Sequence, residues 1–438
     1  MTPGIDVIGA GLAGCECAWQ AAIRGISVRL FEMKPLKHSP VHVYDGMAEL
    51  VCSNSLRADS LTNAVGLLKE ELRRMGSLIM EAADATKVAA GGALAVDRTK
   101  FSDYVTSKIC SNPDIEVIRE EVSSIVPERI TVIATGPLTS DPMSDFIRSF
   151  LGCDGLHFYD AVAPIVSFDS IDMDKAFFSS RYGKGGDDYI NCPMDREQYL
   201  RFYEELINAR EAPVHDFEKD IKVFEGCMPV EIMARRGVDT LRFGPMKPVG
   251  LIDPRDPREH YAVVQLRREN EEGTCYNIVG FQTHLAFPEQ KRVFSMIPGL
   301  ENAEFLRYGV MHRNTFLDSP GLLAADYSLR NNSGIFFAGQ MTGVEGYIES
   351  AASGFVAGIN AARRYEGLES FIFPPVTVIG AMARYVSEGG LGEFQPMNAN
   401  FGIVEPISGF KKKIGKKIKY EMISERALSA VDSFKGSL

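Results

Sequence analysis

Three observations predict an α/β fold in which one discontinuous domain is interrupted by a mixed α+β insertion. An apolar strand, Ile5-Asp6-Val7-Ile8, runs straight into a glycine-rich turn and then a helical stretch. Near the other end of the chain, Gly334-Ile335-Phe336-Phe337-Ala338-Gly339 repeats that logic, a buried strand closing on glycine before a long helix. Between them, from about residue 156, aromatics and prolines rise and extended segments alternate with turn residues, the texture of a partly antiparallel region.

The first turn is Gly9-Ala10-Gly11-Leu12-Ala13-Gly14, a G-x-G-x-x-G pattern. Gly9 permits the tight turn, Gly11 lets a diphosphate approach the backbone, and Gly14 lets helix and strand pack closely. The helix N-terminus then offers its free N–H groups to the phosphates. A second strand over residues 27–31 ends at Glu32, placed to take ribose hydroxyls. Leu67, Leu68, Leu72, Met75, Ile79 and Met80 recur near a 3.6-residue period and predict a helix over 62–83. Gly91-Gly92 breaks the chain, and Asp97-Arg98 starts a helix reaching about residue 109. Strands follow over 115–120 and 130–134, the latter ending in Thr135-Gly136-Pro137. Extended segments at 261–267 and 276–281 belong to the insertion, and a helix is expected over 344–365. The boundaries read as 1–155 for the first part of the nucleotide domain, 156–307 for the insertion, 308–405 for the second part, and 406–438 for a basic tail.

Composition narrows the function. At 438 residues and 45% hydrophobic the chain is long enough for two or three domains with a large core. A net charge of -11 means that any nucleic-acid contact must come from local basic patches. Eight cysteines, with no C-x-x-C pair and no zinc spacing, read as reduced thiols in a cytoplasmic protein without a metal site. The first residues enter the first strand directly, which argues against a signal peptide, and no apolar run has the length of a membrane span.

Two segments favour a flavin over a nicotinamide as the resident nucleotide. Thr131-Val132-Ile133-Ala134-Thr135-Gly136 resembles the second signature of two-dinucleotide-domain flavoproteins, and 334–354 resembles their third. A helix aimed at a flavin stabilises negative charge on its reduced form. Where many such proteins carry aspartate after the last glycine, Gly339, this chain has Gln340, able to hydrogen-bond the ribityl chain without charge. This gives a Rossmann-like FAD-binding domain.

Glu49-Leu50-Val51-Cys52-Ser53-Asn54-Ser55-Leu56, Arg98 with Phe101, and Glu225-Gly226-Cys227-Met228-Pro229-Val230-Glu231 sharpen the likeness. So do 243–250, Tyr308-Gly309-Val310-Met311-His312-Arg313-Asn314-Thr315 and 339–347. Together they resemble the folate- and FAD-dependent tRNA uracil-5-methyltransferases, from the first strand to about Glu405. The resemblance implies transfer of a methylene group from 5,10-methylenetetrahydrofolate to C5 of a T-loop uridine in tRNA. Reduction to methyl by FADH2, reloaded by NADH or NADPH, then gives 5-methyluridine. It implies the T-arm of tRNA, folate and a nicotinamide nucleotide as partners, with no membrane and no obligate protein partner.

Uracil C5 is a poor nucleophile, and thiolate addition at C6 activates it, so a cysteine is chemically expected. Pro229 suits a first helical position and Gly237 a C-terminal cap, which puts Cys227 just before a helix N-terminus, where a thiol pKa falls. Cys227 is therefore the expected nucleophile, and Cys52, before a polar turn, the expected assistant at C5. The resemblance marks both positions and leaves their division of labour open. His312 is expected to stack on a pterin and Arg313 to meet the folate glutamate. Lys411 and Lys412, within a lysine-rich segment, are expected at tRNA phosphates. Two other readings stay open, an FAD-dependent oxidoreductase of a small molecule and a tRNA-binding flavoprotein subunit of a wobble-uridine modification complex.

Overall fold

The structure, a computed structural model, describes residues 4–438 apart from 40, 153–155, 162, 213–227, 257, 310, 391–393 and 408–414. For 156–161 and 311–315 it describes the backbone alone.

The first strand, Ile5–Ile8, is buried along its whole length, as a central parallel strand must be. It pairs in parallel with Val28–Glu32 on one side and Thr131–Ile133 on the other. Ile115–Arg119 extends the sheet beyond Val28–Glu32, and Asn332–Phe337 extends it beyond Thr131–Ile133. Chain from both ends of the sequence thus builds one sheet, whose hydrophobic core draws on residues 5–147 and 317–434. Helix Leu12–Ala22 crosses helix Tyr347–Tyr365 at backbone contact. A Cβ on Gly354 would sit 2.1 Å from the Ala13 carbonyl oxygen, and one on Gly358 2.6 Å from that of Cys17. Only glycine at both positions allows the crossing.

The helix expected over 62–83 is two helices, Ala64–Arg74 and Leu78–Ala85. Gly76 takes a left-handed φ of 80°, and the Ser77 hydroxyl accepts from the Met80 N–H at 3.2 Å to start the second helix. The buried carboxylate of Glu16 accepts from Ser77 Oγ (2.7 Å) and the Ile79 N–H (2.9 Å), which ties this N-terminus to the fingerprint helix. The helix expected from 344 begins at Tyr347, after a 3-10 turn over Gln340–Thr342.

The insertion carries an antiparallel sheet, in the order Phe177–Phe178, Tyr189–Met194, Ala262–Arg268, Cys275–Ile278, Ile165–Ser167, Phe305–Arg307. Ile190, Cys192, Ala262, Val264 and Leu266 point into a second core, against Tyr199, Phe202 and Leu206 of helix Arg196–Asn208. The alternate residues Asn191, Gln265 and Arg267 face the other way. In the segment read as a basic tail, Lys416–Phe434 forms a helix. Its Ile423, Ala427, Val431 and Phe434 pack into the first core, and Arg74 pairs with Asp432 at 2.6 Å. Its apolar residues, spaced three and four apart, were masked in the sequence by the lysines that precede them.

Candidate functional site

A cavity of about 570 Å³ opens at the carboxyl ends of the parallel strands and runs to the insertion. Its first wall is the fingerprint. Gly9 has φ 98°, and a Cβ on Gly14 would lie 1.8 Å from the Gly9 carbonyl oxygen, so both glycines are demanded by the turn itself. Gly11 differs, because a Cβ there would meet nothing within 4 Å. The space beside it opens to the cavity at the N-terminus of helix Leu12–Ala22, where an anionic diphosphate is favoured. Ala10, Leu12, Ala13, Gly136, Gly339 and Gln340 line the same cavity. Glu32 also lines it, while its carboxylate accepts from the Ala10 N–H and the Lys34 N–H, each at 2.9 Å. Gln340 donates through Nε2 to Glu345 Oε2 at 2.6 Å, a partner that the sequence reading did not foresee.

Cys52 stands on the opposite wall, on a loop clamped from both domains. Arg98 Nη1 donates to the carbonyls of Leu50 (2.6 Å) and Val51 (3.1 Å), and its guanidinium pairs with Glu269 at 2.5 Å. Burial opposes the charge of Arg98, but Glu269 outweighs it and holds the guanidinium above its ordinary value. Asn54 donates to the carbonyls of Val96 (3.0 Å) and Arg268 (2.9 Å). Arg267 donates to Asn54 Oδ1 (2.9 Å) and Ser53 Oγ (2.6 Å).

The thiol itself meets Tyr347. The phenol oxygen accepts from the Cys52 N–H at 2.8 Å and the Ser53 N–H at 3.3 Å, and it lies 3.0 Å from Cys52 Sγ. A hydroxyl has two acceptor positions and one proton. With both acceptor positions taken by amides, the phenol O–H is left to donate toward the sulfur. Enclosure of the hydroxyl pushes the Tyr347 phenol well up, Cys52 adds to this, and Arg98 pulls it down.

Gln282 lines the cavity from the insertion, and its carbonyl accepts from the Val230 N–H at 2.7 Å. Glu231 fixes the same turn, accepting from Thr283 Oγ1 (2.8 Å) and the His284 N–H (2.7 Å). Burial pushes the Glu231 carboxyl up to about 7 against these hydrogen bonds. The chain just after Cys227 is therefore anchored beside the cavity, although Cys227 itself lies outside the described residues, as do Lys411 and Lys412. Pro229 is the N-cap of the following helix, Val230–Arg235, and not its first residue as expected. That helix has fewer than two turns, too few for a strong dipole. His312 and Arg313 sit on Met311–Phe316, paired with Leu156–Ala161, and their side chains lie outside the described residues.

Sequence reasoning missed Tyr347, Arg267 and Gln282 as site residues. Tyr347 stood inside a quoted motif, and Arg267 was legible as the polar alternation Gln265, Arg267 against Val264 and Leu266. Among the described residues no cluster of His, Cys, Asp and Glu is placed to hold a metal, and no helix is long and apolar enough to cross a membrane.

Comparison with known proteins fits this arrangement. Residues 4–369 match the family model described as glucose inhibited division protein A. The chain is 63% identical to the methylenetetrahydrofolate--tRNA-(uracil-5-)-methyltransferase TrmFO of Acetivibrio thermocellus, over 98% of both chains. It is 58% identical to the enzyme of that name from Geobacter sulfurreducens, over 99% of both. Among solved structures, Aquifex aeolicus GidA in its form I crystal shares the fold, with a TM-score of 0.71 at 18% identity, covering 99% of this chain and 76% of that one. The chain thus belongs to the glucose inhibited division protein A family and, within it, to the folate-dependent tRNA uracil-5-methyltransferases.

Proposed function

We propose that this protein transfers a methylene group from 5,10-methylenetetrahydrofolate to C5 of a T-loop uridine in tRNA, where reduction yields 5-methyluridine. The observation that carries the reading is the 63% identity to an enzyme so named, over nearly the full length of both chains. The cavity adds chemical support, since a thiol and a fingerprint open onto one space.

The residues present fit FAD. The open side of Gly11 and the helix N-terminus suit its diphosphate, Glu32 its ribose, and Gly136, Gly339 and Gln340 lie along the rest of the cavity. When bound, FAD supplies the two electrons that turn methylene into methyl, and NADH or NADPH is the proposed source of those electrons. The protein's own work is activation of the base. Cys227 attacks uracil C6 and Cys52 assists at C5, with the Tyr347 hydroxyl in hydrogen-bond contact with the Cys52 sulfur. His312 and Arg313 are proposed to meet the folate, and Lys411 and Lys412 the tRNA phosphates. A cytoplasmic location follows from a tRNA substrate and reduced thiols.

The test incubates undermodified tRNA with the protein, methylenetetrahydrofolate and NADPH or NADH, and looks for 5-methyluridine. Product that requires both tRNA and folate supports the reading. Flavin turnover on a small molecule with neither, and no 5-methyluridine, would replace it with the oxidoreductase.

A further inference from the structure

Strand Ala262–Arg268 turns Ala262, Val264 and Leu266 into the insertion core, which leaves Arg267 on the opposite face, toward Ser53 and Asn54 of the first domain. Among the described residues of the insertion, Arg267 is the one charged side chain on the cavity wall, and it is only 8% exposed. A buried guanidinium normally meets a carboxylate. Arg267 has none within ion-pair distance among the described residues, for Glu269, two positions on, is taken by Arg98. Its hydrogen bonds go to two neutral oxygens, Asn54 Oδ1 and Ser53 Oγ. Both acceptors belong to the two residues after Cys52. Neither N–H of Nη1 finds an acceptor among the described residues, and the side chain lines the cavity. The result is a rigid, donor-only cation with spare capacity, facing the space into which the Cys52 wall opens.

We propose that Arg267 is a catalytic residue of base activation, hydrogen-bonding O4 of the target uracil and carrying the negative charge that develops there. This rests on the methyltransferase reading above. In the step, the electron pair of a cysteine thiolate forms the S–C6 bond, and the C5–C6 π pair moves onto C5 and O4. Arg267 keeps all its protons; the charge leaves sulfur and arrives on the enolate oxygen beside the guanidinium. The argument holds whichever cysteine attacks. It also gives a basis for specificity, because a donor-only group at that edge accepts the O4 of uracil and rejects the amino group of cytosine. Gln282, whose side-chain amide has no partner among the described residues, lines the same cavity and can accept from N3–H.

The test compares Arg267→Gln and Arg267→Lys on two T-arm RNAs, one with uridine and one with 5-fluorouridine at the target. Fluorine withdraws electrons and stabilises the enolate, so the fluorinated base needs the guanidinium less. Arg267→Gln is expected to lower kcat for uridine methylation roughly 10²–10³-fold, and to slow covalent adduct formation with 5-fluorouridine far less. Arg267→Lys, which keeps the charge without the fork, should fall between, and serves as the test if Arg267→Gln loses its bound FAD or its near-UV circular dichroism. Equal losses on both bases would mean that Arg267 only holds Ser53 and Asn54, and would overturn the proposal. An unchanged methylation rate would overturn it too. A wild-type protein that methylates yet never forms the 5-fluorouridine adduct would instead overturn the thiol chemistry on which it rests.

Discussion

On the fingerprint wall of the cavity the main chain does the work: glycines without Cβ atoms, a helix N-terminus, and a Glu32 carboxylate holding the Ala10 N–H. On the wall shared by the Cys52 loop and the insertion, side chains do it: Cys52, Tyr347, Arg267 and Gln282, drawn from four separate stretches of sequence, with Arg98 clamping the loop that carries Cys52. In the proposed function the first wall takes a constant group, whose diphosphate any such fingerprint accepts, and the second is the one that would tell one base from another and raise its reactivity, which needs charges and protons at fixed points. This difference sets what a substitution should do on each side.

The largest expected effect is on the main-chain wall. Gly11→Val should abolish FAD binding, since the new side chain would fill the space left for the diphosphate. The fold should persist, because nothing in the protein lies within 4 Å of the added Cβ. Absorbance of the purified protein near 450 nm and its thermal midpoint check the two halves. Retention of stoichiometric flavin would mean that the phosphates lie elsewhere.

The side-chain wall should fail in the opposite way, keeping the cofactor and losing the reaction. Cys227→Ala and Cys52→Ala are each expected to stay yellow and to methylate tRNA at least 10²-fold more slowly, as loss of a nucleophile or of proton transfer does. The covalent adduct with 5-fluorouridine should vanish in Cys227→Ala. If it persists there and vanishes in Cys52→Ala, the two roles are exchanged, an outcome that the Tyr347 hydroxyl 3.0 Å from Cys52 Sγ makes easy to rationalise. Wild-type rates in both would remove the thiols from the mechanism.

A smaller, structural effect is expected where the two chain ends meet. Gly354→Ala forces a Cβ to within 2.1 Å of the Ala13 carbonyl oxygen, a backbone atom that can yield only if the helices part. The expected cost is roughly 1–3 kcal/mol of stability, read by urea denaturation, with flavin affinity falling because Ala13 belongs to the fingerprint. An unchanged midpoint would show that the crossing has slack.

The main-chain wall was largely legible in the sequence, because its glycines, strands and helices are local patterns of fixed spacing. The parallel strands and the antiparallel insertion follow the predicted alternation. Sequence failed where a tertiary partner decides. The helix over 62–83 breaks at Gly76 because Glu16, far away in the chain, caps the second half. The lysines before Lys416–Phe434 hid a helix whose apolar face needs the first core to be seen. Arg267 looked like one more charge on a strand until Glu269 proved to be occupied by Arg98. Periodicity announces which face is polar, but not which polar group is left with unused capacity.

The smallest effect compares two buried carboxylates held by hydrogen-bond donors, one in each domain. Glu71 accepts from the N–H groups of Val378 (2.8 Å) and Ile379 (3.0 Å), at the start of helix Val378–Glu388. Glu231 accepts from the Thr283 hydroxyl and the His284 N–H in the turn after Gln282. Burial raises both to about 7, against hydrogen bonds that pull them down. A carboxyl raised in the folded state binds its proton more tightly there than in the unfolded chain. Its contribution to stability is therefore fully present below the ordinary value of 4.5 and is lost as pH rises through about 7. Glutamine keeps an acceptor oxygen and cannot ionise, so Glu71→Gln and Glu231→Gln should each flatten the decline in stability between these pH values, by about 1–3 kcal/mol. Urea midpoints at pH 5 and pH 8 measure this. The two variants should differ in activity, since Glu231 holds the turn that carries Gln282 to the cavity whereas Glu71 joins helices remote from it. Glu231→Gln should slow methylation several-fold with flavin retained, and Glu71→Gln should leave it unchanged. Equal rates in the two variants would show that the turn keeps its place without the carboxylate, and that the Gln282 wall is fixed by its hydrogen bond to Val230 alone.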